Sequence, residues 1–458
     1  MSAVLLLPFY LAWLPADVYG ALSLCLAFSI FIQVLVSYSF DTSIYIHFHE
    51  FKDQPDKLAG YVVAVFAFIL GAGLAAGLTF ALLGNLIFAL LFSDRGLDFF
   101  PFGMMAACTG VFQAVFKVYS YLLQSREKPE TFLWSNLTLF GLIAALTIGG
   151  LYLAPGSLAG PVGGRLIAGG LLTVWVLWRV WREFGSRPDF SALKSTFGFN
   201  NYSYIYQLLQ WVINYIDRFV LVLFLPLASV GIYDLTVKCL LVIELLMNGA
   251  HSSFYPRVVG EVMQQDEKNS SITVNRYYHG LTALAMMLTA GGILVLPLVA
   301  DLLPEDNDYR TVIPWFPLVA LAYLLKPMRT YFGMPYGVLK WAKPLPLFYL
   351  AVSALKLILL MALVKPLGIH GVVIAALTSS VLEIILLRAG LINRFRFRFN
   401  HLKIITAPVL LLLLIGVLEP MMGAVRPLLL HLVYFLFTTG ILLILYRKEL
   451  RHLLPTKA

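Results

Sequence analysis

The stretch YQLLQWVINYIDRFVLVLFLPLASVGIYDL, Tyr206–Leu235, decides how the rest of the chain is read. It begins inside an apolar helix long enough to cross a membrane, yet Asp217 and Arg218 lie in the interior of that helix. An ionised residue at the centre of a bilayer costs roughly 2.5–3.5 kcal/mol on insertion scales, so such residues usually face protein or water. The Leu225-Pro226 turn follows, and a second apolar segment begins at once. A charged pair inside a membrane hairpin needs either a structural partner or a task.

The remaining chain is built from the same material. Hydrophobic residues make up 60% of it and charged residues 12%, and the mean hydropathy is +0.85. A soluble domain of 458 residues needs far more polar surface. Apolar runs of about twenty residues, the length that spans a ~30 Å hydrocarbon core, recur throughout. They fall near 18–40, 59–83, 100–123, 131–153, 164–181, 202–225 and 231–252 in the first part. The second part adds 277–303, 312–337, 345–365, 370–390, 403–418 and 427–446, and a shortened run occupies 2–14.

The net charge of +9 sorts by side. With the C-terminal tail placed in the cytoplasm, 22 of the 33 Lys and Arg fall in cytoplasmic segments, including Arg179, Arg182 and the cluster Arg394, Arg396 and Arg398. The outer loops hold five: Arg95, Arg165, Arg310, Lys365 and Arg426. This is the positive-inside bias, and it puts both termini in the cytoplasm. A nucleic-acid reading of RFRFRFNHLK yields to a juxtamembrane anchor on anionic lipid. Cys25, Cys108 and Cys239 all lie in apolar spans, where packing is the ordinary use of cysteine. HFHE, His47–Glu50, lacks a third ligand at zinc-like spacing, so no metal and no cofactor are implied.

An internal repeat organises the spans. At an offset of 211, Trp13–Leu24 falls on Phe224–Leu235, matching Leu14, Pro15, Gly20 and Leu24 with Leu225, Pro226, Gly231 and Leu235. Further on Gln33 meets Glu244 and Ser37 meets Asn248; after a three-residue slip Ser39-Phe40 meets Ser253-Phe254. The expected fold is an all-α polytopic membrane protein of two parallel six-helix bundles, a 6+6 repeat, plus two C-terminal helices, about 14 transmembrane helices in all. The lobes are drawn at 1–200 and 201–395, with two extra helices and the tail at 396–458. In the first lobe only thirteen residues precede the Leu-Pro step, about 20 Å of helix. The first helix therefore reads as truncated, with a start expected upstream.

Two neighbouring helices turn polar stripes away from lipid. Gln207, Gln210, Asn214, Asp217 and Arg218 share about 100° of one helical wheel. In the following helix Asp234, Lys238, Glu244, Asn248, His251 and Ser252 share roughly 140°. Asp234 and Lys238, four apart, also suit a local clamp. Such stripes read as the wall of a water-filled cavity. Lys326 and Arg329 add a third charged face, on an arc with Trp315 and Tyr323 in a helix that also holds Pro314, Pro317, Pro327 and Pro335. Lys117 is within snorkelling reach of a helix end; Lys356 is mid-span. Counted by sign, Lys117, Arg218, Lys238, Lys326, Arg329 and Lys356 face Asp217, Asp234, Glu244 and Glu383, a cationic interior that would draw an anion.

The stretches LLLPFYLAWLPADVYGALSL, HEFKD and QWVINYIDRFVLVLFLPLASVGIYDLTVK resemble the Wzx-type polysaccharide flippases of the MOP exporter superfamily, a MATE-like group. The resemblance covers nearly the whole chain; the truncated first helix is its one departure. It implies alternating access between two lobes in the bacterial inner membrane, with a polyprenyl-diphosphate-linked glycan as cargo for O-antigen, capsule or exopolysaccharide synthesis. On that reading Arg218, Lys238, Lys326, Arg329 and Lys117 attract the diphosphate, and Trp315 and Tyr323 stack on sugar rings. The polar stripe Gln207, Gln210, Asn214, Asp217, Asp234, Glu244 and Asn248 lines the cavity or couples a sodium ion or proton. No enzyme chemistry is needed, since no bond changes. Three other classes compete. A multidrug exporter of the same superfamily should present acidic walls, and a glycan polymerase needs a larger outer loop than LLPEDNDYRTVIPW. An ion-coupled small-solute carrier would titrate Glu244, Asp217 or Asp41.

Overall fold

The computed structural model describes residues 5–92, 98–264, 272–300, 309, 315–339, 341, 343–418 and 427–449. Their regular structure is helical. Helices α1 (Leu7–Trp13), α2 (Ala16–Ser37), α3 (Phe40–Phe51), α4 (Pro55–Phe92) and α5 (Phe102–Ser125) come first. They are followed by α6 (Pro129–Leu153), α7 (Ala159–Phe184), α8 (Phe190–Phe224) and α9 (Leu227–Gln264). The chain continues through α10 (Ile272–Ala300), α11 (Trp315–Val338), α12 (Leu345–Leu367) and α13 (Ile369–Gly390). A π turn at Leu402–Thr406 leads into α14 (Ala407–Leu418), and α15 (Pro427–Leu445) follows. Ten helices of the described residues are long and apolar enough to cross a membrane. Helices α9 and α11 are not among those ten, and Leu402–Leu418 is a shorter apolar helix. The protein is thus an all-helical, multi-pass membrane protein.

Several helices outrun the bilayer. Helix α9 has 38 residues, roughly 57 Å of rise against a ~30 Å core. The segments expected as cytoplasmic loops near 190–201 and 253–264 are instead helical extensions. Asp189 caps α8, accepting bonds from Ser191 N at 2.9 Å, Ser191 Oγ at 2.6 Å and Ala192 N at 3.1 Å. The Ser191 hydroxyl and the Ala192 N–H hold its carboxyl below the ordinary carboxylate range.

Chain contacts divide the protein into two compact units, Met1–Gly231 and Ile232–Ala458. The first has a core of rings and branched chains, with Phe28 edge-on to Phe80 at 5.1 Å and Phe99 edge-on to Phe88 at 5.1 Å. In the second, Tyr278, Tyr331 and Phe332 pack with the RFRFRF segment. Extended backbone alternates side chains between faces. Phe395, Phe397 and Phe399 therefore turn into that core, while Arg394, Arg396 and Arg398 stay exposed. Arg394 also covers the Trp341 ring at 4.2 Å.

The offset of 211 reappears as geometry inside the first unit. Leu14 and Leu225 end their helices in extended conformation, as a residue before proline must. A Cβ on Gly20 would lie 2.0 Å from Leu227 O, and one on Gly231 would lie 2.3 Å from Ala16 O. Residues 16 and 20 correspond to 227 and 231 under the offset. The two contacts are exchanged by it, so α2 and the start of α9 cross in two-fold fashion at glycines.

Candidate functional site

Helices α2 and α3 are separated by a break. Tyr38 and Ser39 both adopt left-handed backbone, with φ of 47° and 60°, a conformation that costs about 1 kcal/mol or more per non-glycine residue. The three-residue slip in the repeat falls between Ser37 and Ser39, while α9 runs unbroken through the matching region. The break lets Asp41 turn inward, where it is 2% exposed. Lys117 Nζ of α5 lies 2.8 Å from Asp41 Oδ2. Gln207 Nε2 of α8 donates to Asp41 Oδ1 and to Ser39 Oγ, each at 3.1 Å. Ser39 also bonds Ser203 Oγ at 2.5 Å, and the Tyr38 hydroxyl donates to Asn201 Oδ1. Three helices are thereby stitched by one buried carboxylate.

Further along α8, Asn214 is exposed and donates to Gln210 O at 2.8 Å. Trp211 Nε1 donates to Ala27 O at 3.0 Å, which fixes the rotation of α8 against α2. Asp217 and Arg218 are 3% and 5% exposed. Arg218 Nη1 donates to Asp217 Oδ1 at 2.9 Å and to Asn214 O at 3.0 Å, and its guanidinium lies over the Tyr215 ring. These contacts lie along its own helix.

Among the described residues the second unit holds further ion pairs. Lys238 Nζ meets Asp234 Oδ2 at 2.5 Å along α9. Lys326 Nζ of α11 reaches Glu244 Oε1 of α9 at 2.6 Å, and Arg329 Nη2 reaches Glu383 Oε2 of α13 at 2.8 Å. Glu383 is 4% exposed and also accepts from Tyr349 Oη at 3.2 Å. The side chains of Lys326, Glu244 and Arg329 keep 21%, 38% and 30% of their surface open. Arg329 Nε is buried and has no hydrogen-bond partner. Asn248 is exposed one turn beyond Glu244. Trp315 packs edge-on to His370 at 4.6 Å, and Tyr323 is half-buried nearby on α11. Lys356 is buried on α12 at 4% exposure. Pro327 and Pro335 lie inside α11, whereas Pro314 falls outside the described residues.

Within each unit the expected residues form distinct pairings. Lys117 joins Gln207; Lys326 and Arg329 stand on one face with Glu244; Asp217–Arg218 and Asp234–Lys238 are local pairs. Lys117, Arg218, Lys238, Lys326 and Arg329 each stand against a carboxylate, and for Lys117 that is Asp41, an acid the count by sign omitted. Sequence reasoning also missed Ser39 and the Glu383–Tyr349 bond. One signal was available: Lys117 and Lys326 stand 209 residues apart, close to the repeat offset, so each half carries a lysine facing a carboxylate from an earlier helix.

The family model for "Polysaccharide biosynthesis protein" matches residues 14–303, well over half of the chain. No curated protein matches in sequence. Among solved structures, the lipid II flippase MurJ in an inward closed conformation superposes with a TM-score of 0.71 at 15% identity, covering 96% of each chain. An inward-facing multidrug resistance MATE transporter of the MOP superfamily superposes with a TM-score of 0.68 at 14% identity, over 85% of this chain and 94% of that one. At such identities the likeness establishes the fold. With a family model over most of its length and this fold beneath it, the chain belongs to the polysaccharide biosynthesis protein family, as its resemblance to the Wzx-type flippases of the MOP superfamily implied.

Proposed function

We propose that this protein flips a polyprenyl-diphosphate-linked oligosaccharide from the cytoplasmic to the outer leaflet of the bacterial plasma membrane. Two lobes, 1–200 and 201–395, alternate access, with 396–458 as added helices and both termini cytoplasmic. The observation that carries this reading is the Lys326–Arg329 face of α11. Both side chains are partly open, and Arg329 retains an unmatched Nε. A diphosphate can take the place of the carboxylate against each cation, and Arg donates to two phosphate oxygens side by side. The lipid tail stays in the bilayer while polar groups exchange water for these donors. Glu244, once displaced, is free to take up a proton or sodium ion, which supplies a route to coupling. No bond is made or broken, so the protein acts as a transporter and not as an enzyme.

Deleting the gene in its host should cause polyprenyl-diphosphate-linked glycan to accumulate on the cytoplasmic face, with surface polysaccharide lost and restored by the intact gene. Unchanged surface polysaccharide together with new sensitivity to cationic drugs would instead favour the multidrug reading.

A further inference from the structure

Helices α6 and α7 form a hairpin that is pinned at one end and splayed at the other. Near their connection, a Cβ on Gly150 would fall 2.4 Å from Gly160 Cα, and one on Gly164 would fall 2.8 Å from Thr147 N. Small residues permit this backbone approach. Roughly 24 Å further along α6, bulky Trp134 and Trp175 replace the glycines, and a cleft of about 470 Å³ opens between the helices.

The cleft has a distinct chemistry. Thr131, Trp134, Ser135 and Thr138 share one face of α6 at helical spacing, opposite Trp175 and Arg179 of α7. Arg179 lies over the Trp175 ring at 5.5 Å, and Trp175 is held edge-on by Tyr119 at 5.6 Å. Arg179 Nε is buried with no hydrogen-bond partner. The nearby Glu183 carboxylate is engaged by Arg126 and Lys128, so it does not satisfy that donor. Ser135 Oγ donates to Thr131 O at 2.6 Å, which leaves its lone pairs for a ligand hydroxyl. Glu130 closes the rim and can accept from hydroxyls but repels a bare polyanion. Trp134, Trp178 and Trp181 are 67%, 46% and 62% exposed on the same end of the hairpin, the aromatic composition of a headgroup-level belt.

We propose that this cleft binds an anionic phospholipid whose headgroup carries free hydroxyls, of the phosphatidylglycerol type. The phosphodiester meets the Arg179 guanidinium, the glycerol hydroxyls meet Glu130 and Ser135, and the acyl chains run along Leu172 into the bilayer. The site lies within the first unit and apart from the ion pairs assigned to cargo. The proposed topology determines only which leaflet supplies the lipid, namely the cytoplasmic one.

Native mass spectrometry of the full-length protein, titrated with phosphatidylglycerol, phosphatidylcholine or polyprenyl phosphate, tests it. Wild type should prefer phosphatidylglycerol over phosphatidylcholine. Arg179→Gln should weaken that binding about tenfold or more, the loss of one charged hydrogen-bonding pair. Arg179→Lys should retain part of it, and Arg182→Gln, on an exposed arginine over Trp178, should leave it within about twofold of wild type. Wild-type binding in Arg179→Gln, an equal loss in Arg182→Gln, or binding of polyprenyl phosphate alone would overturn the proposal. The readout needs no transport. A failed flipping assay with Arg179-dependent lipid binding intact would count against the proposed function and not against the cleft.

Discussion

Replacing Lys326 and Arg329 together with alanine should reduce glycan export by more than about a hundredfold, with each single replacement costing about tenfold. On the proposed reading each cation supplies one charged hydrogen-bonding group to the diphosphate, and losing such a group costs about 1.5–3 kcal/mol. The two stand three residues apart on one face of α11, so either can partly cover for the other and the losses will not simply add. Each alanine also strands a carboxylate, Glu244 or Glu383. Export must therefore be normalised to the amount of protein in the membrane, and Lys326→Met with Glu244→Gln provides a neutral pair for comparison. Asp217–Arg218 gives the contrast. Arg218→Ala removes the cation beside a buried aspartate, a loss of about 3–5 kcal/mol, and should lower abundance. Asp217→Asn with Arg218→Gln should restore it. If that double variant transports normally, Arg218 braces α8 and does not touch cargo. Normal export by the Lys326/Arg329 double variant would remove α11 from the site.

Gly20→Ala and Gly231→Ala should each destabilise the protein by about 2–3 kcal/mol, at the upper end of overpacking. The added methyl meets a backbone carbonyl at 2.0 Å or 2.3 Å, and backbone cannot swing aside as a side chain can. The helices must separate at their crossing. Because the offset exchanges the two contacts, the two variants should lose similar stability. Their combination should lose less than the total of the two, since the first methyl already opens the gap for the second. Gly149→Ala on α6, where a Cβ meets nothing within 4 Å, is the control and should not lower stability. Thermal unfolding in a single detergent separates the cases. Tolerance of Gly20→Ala equal to that of Gly149→Ala would mean that the crossing is looser than described.

Much of this was legible in the residues. Period-free apolar runs located the spans, and Leu14-Pro15 and Leu225-Pro226 located the turns, because both signals are local. The repeat at 211 foretold which glycines would correspond, though not that they would touch each other. The pairing of charges was not legible. A helical wheel gives the direction of a stripe but not its partner, so Arg218 and Arg329 looked alike. In the fold Arg218 bonds the carboxylate beside it, while Arg329 keeps an open donor. The inward pairing of Asp41 was hidden for a different reason. It lies just past the apolar run, where an unbroken helix would have carried it toward the cytoplasm, and only the left-handed Tyr38-Ser39 step turns it inward. The three-residue slip in the repeat marked that step without giving its geometry. The cleft at Trp134 and Trp175 depends on hairpin splay, set by glycines far from it in the sequence.

The central claim is that a diphosphate-linked glycan crosses the membrane through this protein while its lipid tail remains in the bilayer. It is tested most directly with the purified protein in liposomes that contain a fluorescent polyprenyl-diphosphate oligosaccharide, by following the fraction of glycan accessible to an added glycosidase. Wild type should render glycan from the far leaflet accessible, while protein-free liposomes and the Lys326/Arg329 double variant should not. The same rate for a polyprenyl-linked glycan lacking the diphosphate, or no movement above protein-free liposomes by wild type that is folded and correctly inserted, would contradict the account.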